Sequence, residues 1–195
     1  MIIYFDTETS GLRPGQICQL SYVLQDDNGV TAKNFFFTVD YVEPSALMVH
    51  GFSVDKLRVL SGGKRFADCI SEIDKDFTSA DLLVAHNVSF DLAFLRTEYE
   101  RLNECFCFKE DFCTMKKCTP VCKLKRKSGD GYKYPKLSEL CTHFSVSEDD
   151  VKKSVIELYG ATAGFHDARF DTVALYLVAN KAMCSNELKE LKDYL

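Results

Sequence analysis

Apolar positions in the first part of the chain recur with a period of two. "MIIYFDTE" (1–8) is an apolar run that ends in acids, and across 17–26 Cys18, Leu20, Tyr22 and Leu24 alternate with more polar neighbours, so both stretches read as strands. Pro14-Gly15 turns the chain between them. "DDNG" (26–29) carries the Asn-Gly signal of a tight hairpin, and "TAKNFFFTVDYV" (31–42) supplies its second strand. Three meandering antiparallel strands are therefore expected to open the protein. After a loop, "EPSALMVHGFS" (43–53), in which Ser53 can cap a short helix, the period switches to 3.6, with Phe66, Ile70, Ile73 and Phe77 along one helical face. "LLVA" (82–85) reads as a short buried strand, "SFDLAFLRTEYERL" (89–102) as a helix and "FCTM" (112–115) as a further strand. "PKLSELCTHF" (135–144) and "HDARFDTVALYLVANKA" (166–182) read as helices, and "SNELKELKDYL" (185–195) as a solvated closing helix. Strands alternating with helices in the second half imply parallel pairing, hence an α/β fold with a mixed sheet covered by helices. With no internal repeat and no linker, residues 1–195 are expected to form a single domain.

Composition narrows the class. A chain of 195 residues with 46% apolar and 12% aromatic residues has enough material for a full core and is not a disordered one. No apolar run approaches the length of a bilayer span, and the first residues form a strand pattern without a basic leader or cleavage site, so a cytoplasmic protein is the expectation. Nine cysteines are expected to be reduced thiols. Those at 105, 107, 113, 118 and 122 lack the paired CxxC knuckles of a zinc site. The formal charge of −5 gives no global signature for nucleic acid, so such a partner must be held locally or through metal ions. The densest local candidate is "KLKRKSGDGYKYPK" (123–136), where six cationic side chains, Lys125, Arg126 and Lys127 among them, stand against Asp130 alone. Its bland reading is a solvated loop.

Three acidic stretches raise the chemical question. In a strand, residues i and i+2 share a face, so Asp6 and Glu8 of "IYFDTETSGL" emerge side by side while Thr7 faces away. Two adjacent carboxylates near a core call for a cation or a retained proton. "AHNVSFDLAFL" (85–95) runs from a strand into a helix carrying Asp91, and "FHDARFDTVALYL" (165–177) opens a helix with His166 and carries Asp171. Strand ends and helix beginnings are where sites assemble in open α/β sheets. Helical residues five apart lie about 140° apart, so His166 and Asp171 can converge only if His166 sits at or before the first turn. Asp167 shares a face with Asp171 and is easily mistaken for a ligand. Taken singly, the acids read as caps or helix-dipole partners, His50 and His86 as structural, and "CTHF" (141–144) as no nucleophile and base pair.

Together, "FDTETSGL", "HNVSFDLAFL" and "HDARFDTVAL" resemble the three ordered motifs of the DEDDh (DnaQ-like) 3′-to-5′ exonucleases of the ribonuclease H-like superfamily. The resemblance implies a five-stranded sheet of order 3-2-1-4-5, with Asp6, Glu8, Asp91 and Asp171 as metal-binding carboxylates and His166 as general base. "VHGFS" (49–53) is similar to that family's His-Gly loop, so His50, Gly51 and Phe52, with Thr9, Gly11 and Leu12, are implied to border the terminal nucleotide. The chemistry suits the residues. Phosphodiester hydrolysis needs an activated water and neutralisation of developing charge, which two divalent ions provide, and all-carboxylate ligation favours Mg²⁺ or Mn²⁺. A neutral histidine can take the water's proton near neutral pH. The implied partner is nucleic acid, as single-stranded 3′ ends of DNA or RNA, and the enzyme is either free-standing or a proofreading subunit with a polymerase as its partner. The alternative is a catalytically silent nucleic-acid-binding or scaffolding module of the same fold, which loss of an acid or of the histidine would favour; none is lost.

Overall fold

In the computed structural model, which describes residues 1–195, the central strand is β1 (Ile2–Thr9), and all of its residues but Asp6 are buried. It pairs antiparallel with β2 (Ile17–Asp26), which pairs antiparallel with β3 (Gly29–Phe36). On its other side β1 pairs parallel with β4 (Leu82–Ala85), and β4 pairs parallel with β5 (Asp111–Cys113). The sheet order is β3-β2-β1-β4-β5, as expected. A run apolar on both faces fits a strand covered on both sides. Ile2 and Tyr4 pack beneath α9 (Ala168–Cys184), whereas Ile3 and Phe5 pack beneath α3 (Phe66–Ser79) and α4 (Val88–Arg101). Each buried side chain of that size contributes about 1.5–3 kcal/mol to the stability of this sandwich. No helix is long and apolar enough to cross a membrane.

Several elements depart from the pattern expected of the sequence. β3 ends at Phe36 rather than running to residue 42, because the pairing of β1 with β2 shifts from Glu8–Gln19 to Thr9–Ile17. Beyond that irregularity the Phe37 amide still donates to Cys18 O (2.9 Å), but the Thr38 amide turns to Lys64 O (2.7 Å) and the chain leaves the sheet. The β2–β3 turn is centred on Asp27-Asn28 rather than on Asn-Gly: Asp26 Oδ1 accepts the amides of Asn28 (2.8 Å) and Gly29 (3.2 Å), and Gly29 takes φ +139°. The expected loop 43–53 contains α1 (Pro44–His50), started by Pro44 and closed by Gly51 at φ +70°. α2 (Val54–Leu60) begins at Ser53, whose hydroxyl accepts the Lys56 amide (3.2 Å), as expected.

In the second half, β5 stops at Cys113, and the chain turns into two single-turn helices, α5 (Thr114–Lys117) and α6 (Thr119–Cys122). α7 (Leu137–His143) is followed by α8 (Glu148–Tyr159), a helix the periodicity did not reveal. Its signals were capping ones: Ser147 accepts the Asp150 amide (3.1 Å), and Gly160 closes it at φ +65°. The closing segment is solvated on one side only. It forms a 3₁₀ turn over Lys189–Tyr194 that sinks Leu188 and Leu191 into the core beneath α9.

Candidate active site

Strand alternation places Asp6 and Glu8 on the α9 side of the sheet, at the carboxyl end of the central strand. α9 presents Asp171 to them, and one carboxylate oxygen from each of Asp6, Glu8 and Asp171 lies within 4.8 Å of the others. Asp91 approaches from the opposite face, on α4. Its Oδ1 accepts the Thr7 amide (3.1 Å) and the Thr7 hydroxyl (2.7 Å), so it is anchored beside the three-acid group rather than inside it. Thr7 does face away from Asp6 and Glu8, and in doing so it holds the fourth acid.

None of the four acids has an ion-pair partner within the chain. Burial, then repulsion from Asp91, Asp171 and Glu8, pushes the Asp6 carboxyl well above its usual range. Burial raises Glu8 to about 8, with Asp171 repelling it further. Asp91 rises to about 7 through burial, against the lowering effect of its bonds from Thr7. Asp171 rises to about 6 through burial, opposed by the His166 charge and by the His166 amide, which donates to Asp171 Oδ2 (3.2 Å). Four acids, two of them buried and two half-buried, that resist ionisation and form no ion pair fit a divalent metal, and oxygen-only donors suit a hard ion.

His166 meets the condition set by its spacing. It precedes the first turn of α9, at φ +60°, with its side chain exposed. Phe165 and Phe170, ring centroids 4.5 Å apart, fasten this bend to the helix. Asp167 is no ligand: it is the N-cap, its carboxylate taking Arg169 Nε (2.9 Å) and a second guanidinium nitrogen (2.7 Å) as well as Gln19 Nε2 (2.9 Å). Although burial pushes the other way, Arg169 and Gln19 hold Asp167 below the ordinary carboxylate range.

The loop after β1 and the His-Gly loop come together. Thr9 Oγ1 donates to Gly11 O (2.8 Å), and His50 Nε2 lies 3.2 Å from Thr9 O. The Phe52 amide donates to His50 Nδ1 (3.0 Å), so His50 is a neutral ring with its proton on Nε2. Gly51 is the left-handed cap between them, and Phe52 is buried against His50. A Cβ on Gly11 would collide with the Glu43 carboxyl, whereas Leu12 stands 78% exposed at the rim. Lys125, Arg126 and Lys127 are not in the acid cluster. They lie on a small hairpin, bridged from Lys125 to Tyr132 and by Arg126 Nε to Tyr132 O (3.1 Å). Its base reaches the site: Lys136 and Leu137 line the same cavity of ≈ 460 Å³ as His166 and Asp171, and His86 Nε2 lies 3.0 Å from Pro135 O. The nine cysteines are free thiols and none joins a metal-binding group.

A mixed sheet of this order with flanking helices is the ribonuclease H-like fold. A metal-free crystal structure of the E. coli exonuclease I complex with single-stranded DNA superposes with a TM-score of 0.65 at 19% identity, covering 99% of this chain and 41% of that one. In sequence the chain is similar to DNA polymerase III subunit epsilon of Salmonella typhimurium, 30% identical over 169 residues, which is 82% of this chain and 64% of the relative. It is likewise similar to the epsilon subunit of Rickettsia felis (28% over 153 residues; 74% and 62%) and to PolC-type DNA polymerase III of Latilactobacillus sakei (33% over 101 residues; 51% and 7%). The chain thus spans less than two thirds of each of these relatives. No family model matches it. The chain is thus similar to DNA polymerase III epsilon subunits over most of its own length and shares its fold with exonuclease I.

Proposed function

We propose that residues 1–195 act as one exonuclease domain that removes nucleoside monophosphates from the 3′ ends of nucleic acid. The observation that carries this reading is the convergence of Asp6, Glu8 and Asp171 within 4.8 Å, Glu8 buried and the other two half-buried, with no ion-pair partner, beside His166. Asp6, Glu8, Asp91 and Asp171 would hold two Mg²⁺ or Mn²⁺ ions. Such ions, when bound, supply acidification of the attacking water and neutralisation of charge at the phosphate.

The remaining steps belong to the chain's own residues. His166, exposed on a bend fixed by Phe165 and Phe170, takes the proton of the attacking water at a ring nitrogen. The Asp171 carboxylate, bonded to the His166 backbone, ties that bend to the acid cluster, and Thr7 fixes Asp91 from the other face. The terminal nucleotide rests between the loop of Thr9, Gly11 and Leu12 and that of His50, Gly51 and Phe52, with Leu12 exposed to meet the last base. Lys125, Arg126 and Lys127 grip the phosphate backbone further along the strand, beside the exposed rings of Tyr132 and Tyr134. A polymerase is the protein partner we propose, because the relatives are named as subunits or forms of DNA polymerase III.

The test is digestion of a 5′-labelled single-stranded oligonucleotide with Mg²⁺ or Mn²⁺, alone and with EDTA. A ladder shortening from the 3′ end that EDTA abolishes is expected; full activity in EDTA would overturn the metal site.

A further inference from the structure

The strand next to the acids carries a residue that the hydrolysis itself does not use. Gln19 on β2 is directly opposite Glu8 in the sheet register and is completely buried, so the two side chains lie side by side on the face that α9 covers. Its amide uses both ends. Nε2 donates to Asp167 Oδ1 (2.9 Å) and to Asn34 Oδ1 on β3 (2.8 Å), while Oε1 accepts the Ala168 amide (3.0 Å), one of the open donors of the first turn of α9. The same strand repeats the device one pleat further on. Ser21, opposite Asp6, accepts Thr172 Oγ1 of α9 at its carbonyl (3.1 Å), and its hydroxyl lies 2.7 Å from the Tyr159 hydroxyl. The cross-strand neighbour of each β1 acid is thereby bonded to the helix that brings the third acid.

We infer that Gln19 is a positioning residue, which locks the start of α9 against the sheet and so sets Asp171 and His166 at their working distance from Glu8. This rests on the exonuclease reading above. Asp167 is the intermediary: as N-cap it is clamped by Arg169 on one side and Gln19 on the other, and His166 is its immediate neighbour. A buried amide that makes three hydrogen bonds has one orientation, whereas an apolar side chain of similar size leaves the Ala168 amide, Asn34 and Asp167 each short of a partner. Outer partners of metal-binding groups typically carry about 10- to 100-fold in activity, and displacement of a reacting group by about 1 Å costs a similar factor.

The test compares Gln19→Leu with Asn34→Ala, which removes the one Gln19 partner that lies neither on α9 nor at its cap. Under this inference Gln19→Leu lowers kcat about 10- to 100-fold with KM within about twofold, because the substrate loops are untouched, and Asn34→Ala keeps kcat within about fivefold of wild type. Hydrogen–deuterium exchange of residues 165–172 in the metal-free protein should quicken in Gln19→Leu and stay near wild type in Asn34→Ala. This readout needs no activity. A wild type without nuclease activity would therefore sink the exonuclease reading and leave the exchange data to decide the positioning. Wild-type kcat in Gln19→Leu, unchanged exchange, or Asn34→Ala as impaired as Gln19→Leu would each overturn the role.

Discussion

Asp6, Glu8, Asp91 and Asp171 share one property that sets the behaviour of the metal-free protein: each holds its proton more tightly in the folded chain than carboxyl groups ordinarily do. The unfolded chain therefore binds fewer protons from the ordinary carboxyl range, about 4, up to the raised values, and stability falls as pH rises through that window. The relevant folded values are about 6 for Asp171, about 7 for Asp91 and about 8 for Glu8. Without metal, the part of the stability due to Asp171, Asp91 and Glu8 is full below about pH 4 and is lost as the pH rises through about 6, 7 and 8. Thermal melts in EDTA at pH 5, 6.5 and 8 should show the melting temperature falling, and Mg²⁺ or Mn²⁺ should raise it most at pH 8. A flat profile would mean that the acids are ionised without strain. Asp171→Ala removes one member of this repulsive group, so its metal-free melting temperature at pH 8 should equal or exceed that of wild type, while activity falls at least about 100-fold. For His166→Ala a general base predicts a loss of about 10²- to 10⁴-fold in kcat with little change in KM, and a pH–rate profile identical to wild type would remove it from that role. Asp6, Glu8, Asp91, His166 and Asp171 could be picked out of the sequence only through the resemblance of the three ordered motifs, because taken singly each acid reads as a cap or helix-dipole partner. Thr7 and Gln19 could not be. Their partners, Asp91 and Asp167, lie far along the chain, and only the strand register brings them together.

Elements were legible where they had one strong period. β2, β4, α3 and α9 lie within a few residues of their expected bounds. α8 escaped because its apolar side is narrow, with only Val151 and Val155 buried among charged neighbours, and its caps were the better signal. The excess length expected of β3 has another cause: Phe37 and Val39 continue the apolar pattern, yet they are buried by the turn out of the sheet rather than by strand pairing. The basic hairpin is the element whose role is open to direct test. Lys133 pairs with Glu139 and Arg126 also bonds Tyr132 O, so part of the charge serves the hairpin's own structure, whereas Lys125 and Lys127 have no ion-pair partner. Changing Lys125, Arg126 and Lys127 together to Ala should raise KM and flatten its salt dependence by about 0.7 log–log units for each phosphate that is no longer neutralised, with kcat little altered. Wild-type KM and salt slope would reduce the hairpin to a solvated connection.

At the scale of the whole molecule, the sheet order explains why acids from three stretches far apart in sequence meet. The first motif lies on the central strand, the second follows its parallel neighbour β4, and the third crosses over on α9, so the carboxyl end of β1 is approached from both faces. The full order 3-2-1-4-5 came from the family resemblance, whereas the hydrophobic pattern specified the opening antiparallel meander and parallel pairing later but not where the later strands join. The direction of attack on the strand is likewise a property of the entire cleft and not of any acid. The most direct measurement is the digestion, with Mg²⁺, of one single-stranded sequence presented three ways: linear with a free 3′-hydroxyl, linear with a 3′-phosphate, and circular. An exonuclease working from the 3′ end should release mononucleotides from the first and leave the phosphate-blocked and circular strands intact. Efficient cutting of the circle would contradict it and mark the acid cluster as an endonuclease centre.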